Sequence, residues 1–296
     1  NFVNFGNLPK VDLYCSSYAG GATAYPIMFD NFILSDKKKK QKLDSKFLLK
    51  QRIDNIRLTK SKYFLPYAGS FETRLTRDAY ISKNLFKNKV EDYEKRLVGQ
   101  NVQVLNTEKF NYYIFKNKKL IKKTKLKIKK IEDFKEKKFL KDFKNENIIN
   151  KKIIEEYFYN SNFYDNLILQ IELVDDQFKN CYLSFFIDFR DKIKISYSKY
   201  YSNNSINTEN NRFLNLKIRA ESFMHVIYNK LPWEDLLIGF QCKVFRIPNV
   251  YNIKFWNYFT NIYISNRQLR TSKNCDKCDV LNNYIDNLIF ETKSTK

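Results

Sequence analysis

The chain has 296 residues, of which 43% are hydrophobic and 17% aromatic. This length and composition allow one large domain or two ordinary ones with a buried core. Lys and Arg outnumber Asp and Glu by 54 to 32, which gives a net charge of +22 and raises the hypothesis of a nucleic-acid partner. The excess is mostly Lys and accompanies abundant Asn, Ile, Tyr and Phe, which share A/T-rich codons. We therefore favour compositional bias over nucleic-acid binding as its source.

The cysteine count and the hydropathy pattern exclude two further classes. The five cysteines are odd in number and widely scattered, which argues against a disulfide framework and suits a reducing compartment. No run approaches the length of about 18 apolar residues that a transmembrane helix needs. The N-terminal "NFVNFGNLPK" lacks the apolar stretch of a signal peptide. We therefore expect a cytoplasmic protein without a membrane span.

The first 70 residues predict an α/β unit. The stretch "VDLYCSSYAGG" alternates apolar and polar residues and predicts a strand that ends at the glycine pair Gly20 and Gly21. A helix follows over 36–62, and its predicted buried face comprises Phe47, Leu48, Ile53 and Ile56. "KYFLPYAG" predicts a second buried strand. Ligands of open α/β sheets bind at the carboxyl ends of strands, so the glycine pair is a candidate site.

The later elements are predicted from shorter patterns. A helix or helical connection is expected over 84–100, and the Lys-rich segment 101–150 has the composition of a solvated insertion. A helix from residue 151 runs into the strand "LILQIELV", and "CYLSFFIDF" and "KIKISYSKYY" predict a hairpin about "RDK". "RFLNLKIRA" and "AESFMHVIYNK" predict a strand and a short helix. The predicted divisions are 1–100, 101–150, 151–265 and a polar tail over 266–296.

Three blocks in the same order resemble the CMP-N-acetylneuraminate hydroxylase (monooxygenase) family. They are "AGGATAYP", "PYAGSFETRLTRDAYISKNLFKN" and "WEDLLIGFQCKVFRIPNVYNIKFWNYFTN". The resemblance covers roughly residues 10–90 and 215–262. It implies an α/β (α+β) chain made of the C-terminal half of a metallo-β-lactamase-like αββα fold, followed by a mixed strand/helix C-terminal region.

The family resemblance also implies cofactors and partners. Members carry a Rieske 2Fe–2S cluster on Cys and His pairs and an iron at a His-rich cluster. This chain has one histidine, and Ala68 and Leu75 stand where the resemblance implies metal-binding histidines. We therefore expect the ligands of both cofactors in a missing N-terminal half, upstream of Asn1. The implied partners are a CMP-sugar and an electron donor such as cytochrome b5 or a reductase.

The resemblance implies a function for the whole protein. It is hydroxylation of an N-acetyl group of a CMP-sugar to N-glycolyl, with this chain supplying scaffold and pocket wall and being inactive alone. Two alternatives stay open: a metallo-β-lactamase-fold hydrolase or a catalytically dead relative of one, and a basic nucleic-acid-binding protein.

Six residues are candidates for substrate binding, and each has a structural alternative. Gly20 and Gly21 suit a phosphate cradle or a tight turn. Trp233 and Trp256 suit stacking on a base or sugar, or a core role. Arg246 suits a clamp on phosphate or carboxylate, or an ordinary salt bridge. The sixth candidate is Tyr25, in the same block as the glycines.

The sequence predicts no complete set of ligands for a metal ion. His225 stands alone, and a zinc site with one histidine needs three further Cys or carboxylate ligands. Cys275 and Cys278 form half of a zinc or iron–sulfur pattern in a polar tail. The structural alternatives are a satisfied core histidine and an exposed pair of thiols.

Overall fold

The computed structural model describes residues 11–20, 24–69, 73–110, 112–125, 134–197 and 212–263. The chain divides into two compact units, the first of residues 1–27 and 32–135 and the second of residues 28–31 and 136–296. The boundary lies inside the segment that the sequence predicts as an insertion. Gly21, both tail cysteines and the predicted tail lie outside the described residues. In the described part of the chain, no helix is long and apolar enough to cross a membrane.

The first unit is built on a strand–helix–strand crossover. Strand β1 (Leu13–Ser17) pairs in parallel with β2 (Tyr63–Tyr67), and helix α1 (Leu34–Leu58) connects them. The short strand β3 (Gln103–Val104) continues the sheet in parallel beyond β2. The predicted order of strand, helix and strand is therefore confirmed, and with it the mixed α/β class. The metallo-β-lactamase-like detail stays a prediction.

Helix α1 buries a different face from the one predicted. Its buried residues include Gln41 and Ser45 besides Ile53 and Ile56, whereas Phe47 is 68% exposed. The prediction for Phe47 is wrong because nine residues separate it from Ile56. That is about two and a half helical turns, so the two side chains point to opposite sides.

The first unit continues with short elements around one hydrophobic cluster. A 3-10 turn (Thr76–Asp78) leads into α2 (Ala79–Asn84), and α3 (Val90–Arg96) follows after an extended segment. The cluster comprises Tyr18, Ala19, Ile53, Ile56, Phe64, Val90, Tyr93 and Leu97. It joins α1, α3 and the strand ends, so the sheet and its helices share one core.

A hairpin that the sequence did not predict occupies part of the Lys-rich segment. Strand β4 (Tyr112–Lys116) pairs antiparallel with β5 (Lys119–Thr124). The two turn residues, Asn117 and Lys118, have φ values of 48° and 61°. Two successive positive φ values are typical of the tight hairpin turn that usually contains glycine. Lys118 replaces that glycine, which hides the turn from sequence analysis.

The second unit contains a five-stranded sheet in the order β10-β9-β6-β7-β8. The strands are β6 (Leu167–Val174), β7 (Cys181–Asp188), β8 (Lys194–Ser196), β9 (Arg212–Arg219) and β10 (Cys242–Ile247). The pair β6 and β9 is parallel, and the other neighbours are antiparallel. The predicted strands at β6, β7 and β9 and the predicted β7–β8 hairpin are confirmed.

Five α-helices accompany this sheet among the described residues of the second unit. They are α4 (Glu136–Glu146), α5 (Lys151–Ser161), α6 (Ala220–Asn229), α7 (Glu234–Ile238) and α8 (Ile253–Asn257), and a π-turn (Tyr258–Ile262) follows the last. On one face of the sheet, Phe185 contacts Phe158 of α5 and Phe223 of α6. This is the inner sheet face. Side chains alternate along a strand, so every second residue points to the opposite, outer sheet face.

Trp233 lies at the centre of the aromatic core of the second unit. It is fully buried, and its indole Nε1 donates a hydrogen bond of 2.8 Å to the Tyr157 hydroxyl. Rings of Phe223, Phe255 and Phe259 surround it at centroid distances of 5.2–5.9 Å. A buried tryptophan whose N–H has a partner contributes both area and a satisfied polar contact to a core.

We expect the Trp233–Tyr157 hydrogen bond to contribute measurably to stability. W233F and Y157F each leave one buried polar group without a partner, at a cost of about 1–3 kcal/mol, and W233F also loses ring volume. The double variant removes both groups, so its loss should fall short of the sum by about 1 kcal/mol. Urea unfolding followed by circular dichroism measures all four proteins. Additive losses would contradict a stabilising hydrogen bond.

Candidate functional site

The carboxyl ends of β1 and β2 meet at a turn that contains Gly20. Its φ is +57°, and a Cβ at this position would lie 3.0 Å from the Ser45 Cα and 3.2 Å from the Leu48 Cδ2. Ser45 lies in the middle of α1, far from the unpaired amide groups of the helix N-terminus that bind anions. The surroundings of Gly20 therefore favour the tight, closely packed turn over the phosphate cradle.

A buried asparagine that sequence analysis missed holds this turn. The Asn88 Nδ2 donates to the Ser45 carbonyl at 2.8 Å and to the Tyr18 carbonyl at 3.3 Å. The Asn88 backbone N–H donates to the Ala19 carbonyl, and the Tyr93 hydroxyl donates to the Tyr18 carbonyl at 2.8 Å. Turn carbonyls near the core are thereby satisfied. Sequence analysis could have found this role from Asn88, the last residue of "NLFKN", which lies in a block already quoted for the resemblance.

The neighbouring strand end presses against the same turn. A Cβ added to Gly69 would lie 2.5 Å from the Ala19 Cβ and 3.1 Å from the Ala19 nitrogen. Gly69 is therefore required by the close approach of two backbones. Ala68 before it is exposed and has a φ of 47°. Tyr25 is half-buried, and its ring contacts Phe32 edge-on at 5.9 Å.

The remaining substrate-binding candidates belong to the second unit. Trp233 and Trp256 both contact the Phe255 ring, at 5.4 and 5.3 Å. The burial of both tryptophans favours their core role. The Arg246 side chain is 7% exposed; its Nε donates to the Asn249 Oδ1 at 2.9 Å and its guanidinium lies 4.8 Å from the Phe29 ring centroid. The six candidates thus divide between the two units, and their role in substrate binding stays a prediction.

The metal candidates are placed only in part. His225 is half-buried on α6, with its Nδ1 3.2 Å from the Asn229 Nδ2 and its ring 5.2 Å from the Phe143 ring. Within the described ranges, no three His, Cys, Asp or Glu side chains form a group that could hold a metal ion. Burial raises the pKa of the Cys242 thiol to about 12, so it stays protonated at neutral pH. A protonated thiol is a poor ligand and nucleophile.

Comparisons with known proteins confirm the resemblance identified from the sequence. The chain is 28% identical over 276 residues to the cytidine monophosphate-N-acetylneuraminic acid hydroxylase of Sus scrofa, covering 86% of this chain and 61% of that protein. It is 28% identical to the inactive human protein of that name and 27% identical to the one of Xenopus laevis, covering 53% and 45% of their lengths. The chain therefore spans about half the length of these curated relatives.

Comparisons of structure and of family models add little. No family model matches the chain. A sterol carrier protein-2 like-3 structure from Aedes aegypti is 15% identical, with a TM-score of 0.28, and covers 40% of this chain and 95% of that one.

We expect Gly20 to be more sensitive to substitution than Gly99, which is a matched control. Both have positive φ, but a Cβ at Gly99 would meet nothing within 4 Å. G99A should therefore cost about 1–2 kcal/mol for its backbone alone. G20A should lose about 1–3 kcal/mol more because the methyl group crowds α1. Urea unfolding measures both. Equal losses in the free energy of unfolding would show that the close contact of Gly20 with α1 adds nothing to the cost of the substitution.

Proposed function

We propose that this chain, a relative of the CMP-N-acetylneuraminic acid hydroxylases, forms the C-terminal part of an oxygenase that hydroxylates the N-acetyl group of a CMP-sugar. The observation that carries the proposal is the continuous similarity over 86% of the chain to proteins of that name. The sequence blocks that first suggested the family lie in both units of the structure. The sequence similarity therefore extends into both units and is not confined to one motif.

The implied cofactors do not fit the residues of this chain. A Rieske cluster needs two cysteine and two histidine ligands, and the chain has one histidine. That histidine lies beside Asn229 and Phe143, and the described residues include no other group suited to a metal. We therefore assign the iron–sulfur cluster and the iron to a part of the protein outside this chain. No step through either group is derived from these residues.

The chain's own contribution in this proposal is scaffold and binding surface. The first unit presents the carboxyl ends of a parallel sheet, where α/β proteins bind ligands. The second unit presents the outer face of a five-stranded sheet. In this proposal the chain supplies pocket wall for the CMP-sugar, and the bound substrate would be oxidised at groups held elsewhere. An electron donor such as cytochrome b5 or a reductase completes the proposed system.

The test is an assay of the complete gene product, including whatever its transcript encodes upstream of Asn1. We expect it to bind iron, to show visible iron–sulfur absorbance and to convert CMP-N-acetylneuraminate to the N-glycolyl form. With isotopically labelled dioxygen, mass spectrometry should find one labelled oxygen atom in the product.

The matched control is the 296-residue chain alone, which should give no product with the same reductant and electron donor. Tightly bound zinc or manganese without iron–sulfur absorbance in the complete product would instead support the metallo-β-lactamase-fold hydrolase. Turnover by the isolated chain would overturn the assignment of the redox centres to another part of the protein.

A further inference from the structure

On the outer sheet face of the second unit, side chains form rows that run across the strands, and three of these rows cross β6 at Ile168, Gln170 and Glu172. The rows follow from the pairing register, in which Gln170 lies opposite Phe186 and Asn215, and Glu172 lies opposite Ser184 and Lys217. Strand β10 extends each row by one residue. The rows are Asp188, Ile168, Phe213 and Ile247; then Phe186, Gln170, Asn215 and Phe245; then Ser184, Glu172, Lys217 and Lys243.

The three rows differ in character along the strands. In the first row, Ile168, Phe213 and Ile247 pack with Phe186 and Phe245 into one hydrophobic cluster, and Asp188 at the β7 end pairs with Arg190. The second places two amides, Gln170 and Asn215, between two phenylalanines. The third is polar and charged. Along β10, from Ile247 through Phe245 to Lys243, the outer sheet face therefore changes from apolar to cationic within two steps of about 7 Å each, the spacing of same-face residues on a strand.

The two amides keep hydrogen-bonding capacity. The Asn215 Nδ2 donates to the Glu172 Oε1 at 2.7 Å, and the Gln170 Nε2 lies 3.5 Å from the Ser184 Oγ. Among the described residues, these contacts use one donor of each amide, and no donor is paired with either amide oxygen. Asn215 is only 6% exposed, and Gln170 and Phe245 are half-buried. Amide groups held in such surroundings can recognise the edge of a base.

Two adjacent lysines end the polar row. Lys217 and Lys243 occupy directly opposed positions on β9 and β10, and both are half-buried. In the described part of the chain, neither forms an ion pair within 4 Å; the Lys243 Nζ lies 5.1 Å from the Phe178 ring. Like charges directly opposed across strands are destabilising. A bound phosphate between the two ammonium groups would remove that repulsion.

We infer that the outer sheet face binds the nucleotide part of the substrate, a pyrimidine nucleoside 5′-phosphate. The base stacks on Phe245, its polar edge meets Gln170 and Asn215, and the phosphate lies between Lys217 and Lys243. One strand step separates the amide row from the lysine row, which is comparable with the reach from a base to its 5′-phosphate. Aromatic stacking and lysine–phosphate contacts are the usual elements of nucleotide binding. The inference rests on the proposed function only for the identity of the nucleotide.

The experiment is calorimetric titration of the 296-residue chain with CMP, compared with cytidine and inorganic phosphate. We expect CMP to bind more tightly than either part. The variant K217M/K243M should weaken CMP binding at least tenfold and stay folded by circular dichroism, because it removes a repulsion. Q170L should reduce the preference for CMP over UMP.

The matched control is K116M/K119M on the β4–β5 hairpin. These lysines are also directly opposed across strands, so the variant removes the same charge from the same geometry. It should bind CMP as the unsubstituted chain does. Equal weakening in both variants, absence of CMP binding, or much tighter binding of a short RNA than of CMP would each overturn the inference.

The inference and the proposed function fail in different ways. If the complete gene product hydroxylates CMP-N-acetylneuraminate and K217M/K243M leaves its KM unchanged, the function stands and the nucleotide site is wrong. If the two lysines bind CMP but no hydroxylation occurs, the nucleotide site stands and the proposed oxygenase does not.

Discussion

The parallel pairing of β6 with β9 is the constraint on which the second unit depends. Its register runs without a break from Leu167 opposite Arg212 to Val174 opposite Arg219. Because side chains alternate along a strand, this register decides which residues of both strands point to each face. One set is almost entirely apolar and packs under α5 and α6. The other set carries the amides and the charges of the outer sheet face. A slip of one residue would exchange the two sets.

The first unit depends on a comparable but smaller constraint at the turn after β1. Two glycines, Gly20 and Gly69, allow the strand ends and α1 to approach within contact distance. Asn88 then satisfies carbonyls that this close approach removes from water. Unpaired buried carbonyls are costly, so Asn88 offsets the cost of the close approach that the two glycines allow. The conspicuous glycines of the sequence thereby acquire a packing role at the sheet edge where a ligand was expected.

The functional proposal rests on the similarity to the hydroxylases, and it places the redox groups and the substrate-binding surface in different parts of the protein. The chain spans about half the length of its relatives, and its single histidine cannot supply the ligands of a Rieske cluster. On the outer sheet face, stacking, amide and cationic groups follow one another at the spacing of a β-strand. The redox chemistry and the recognition of the nucleotide are therefore assigned to different parts of the protein.

The sequence by itself determined most of the local elements and the resemblance to the hydroxylases. Alternation predicted β1, and short apolar runs predicted β2, β6, β7 and β9. The β4–β5 hairpin was not predicted, because its short strands and its glycine-free turn leave weak local signals. The burial of Gln41 and Ser45 and the role of Asn88 were decided by tertiary structure, since each bonds to backbone far away in sequence. The same holds for Lys217 beside Lys243, which only the pairing of β9 with β10 brings together.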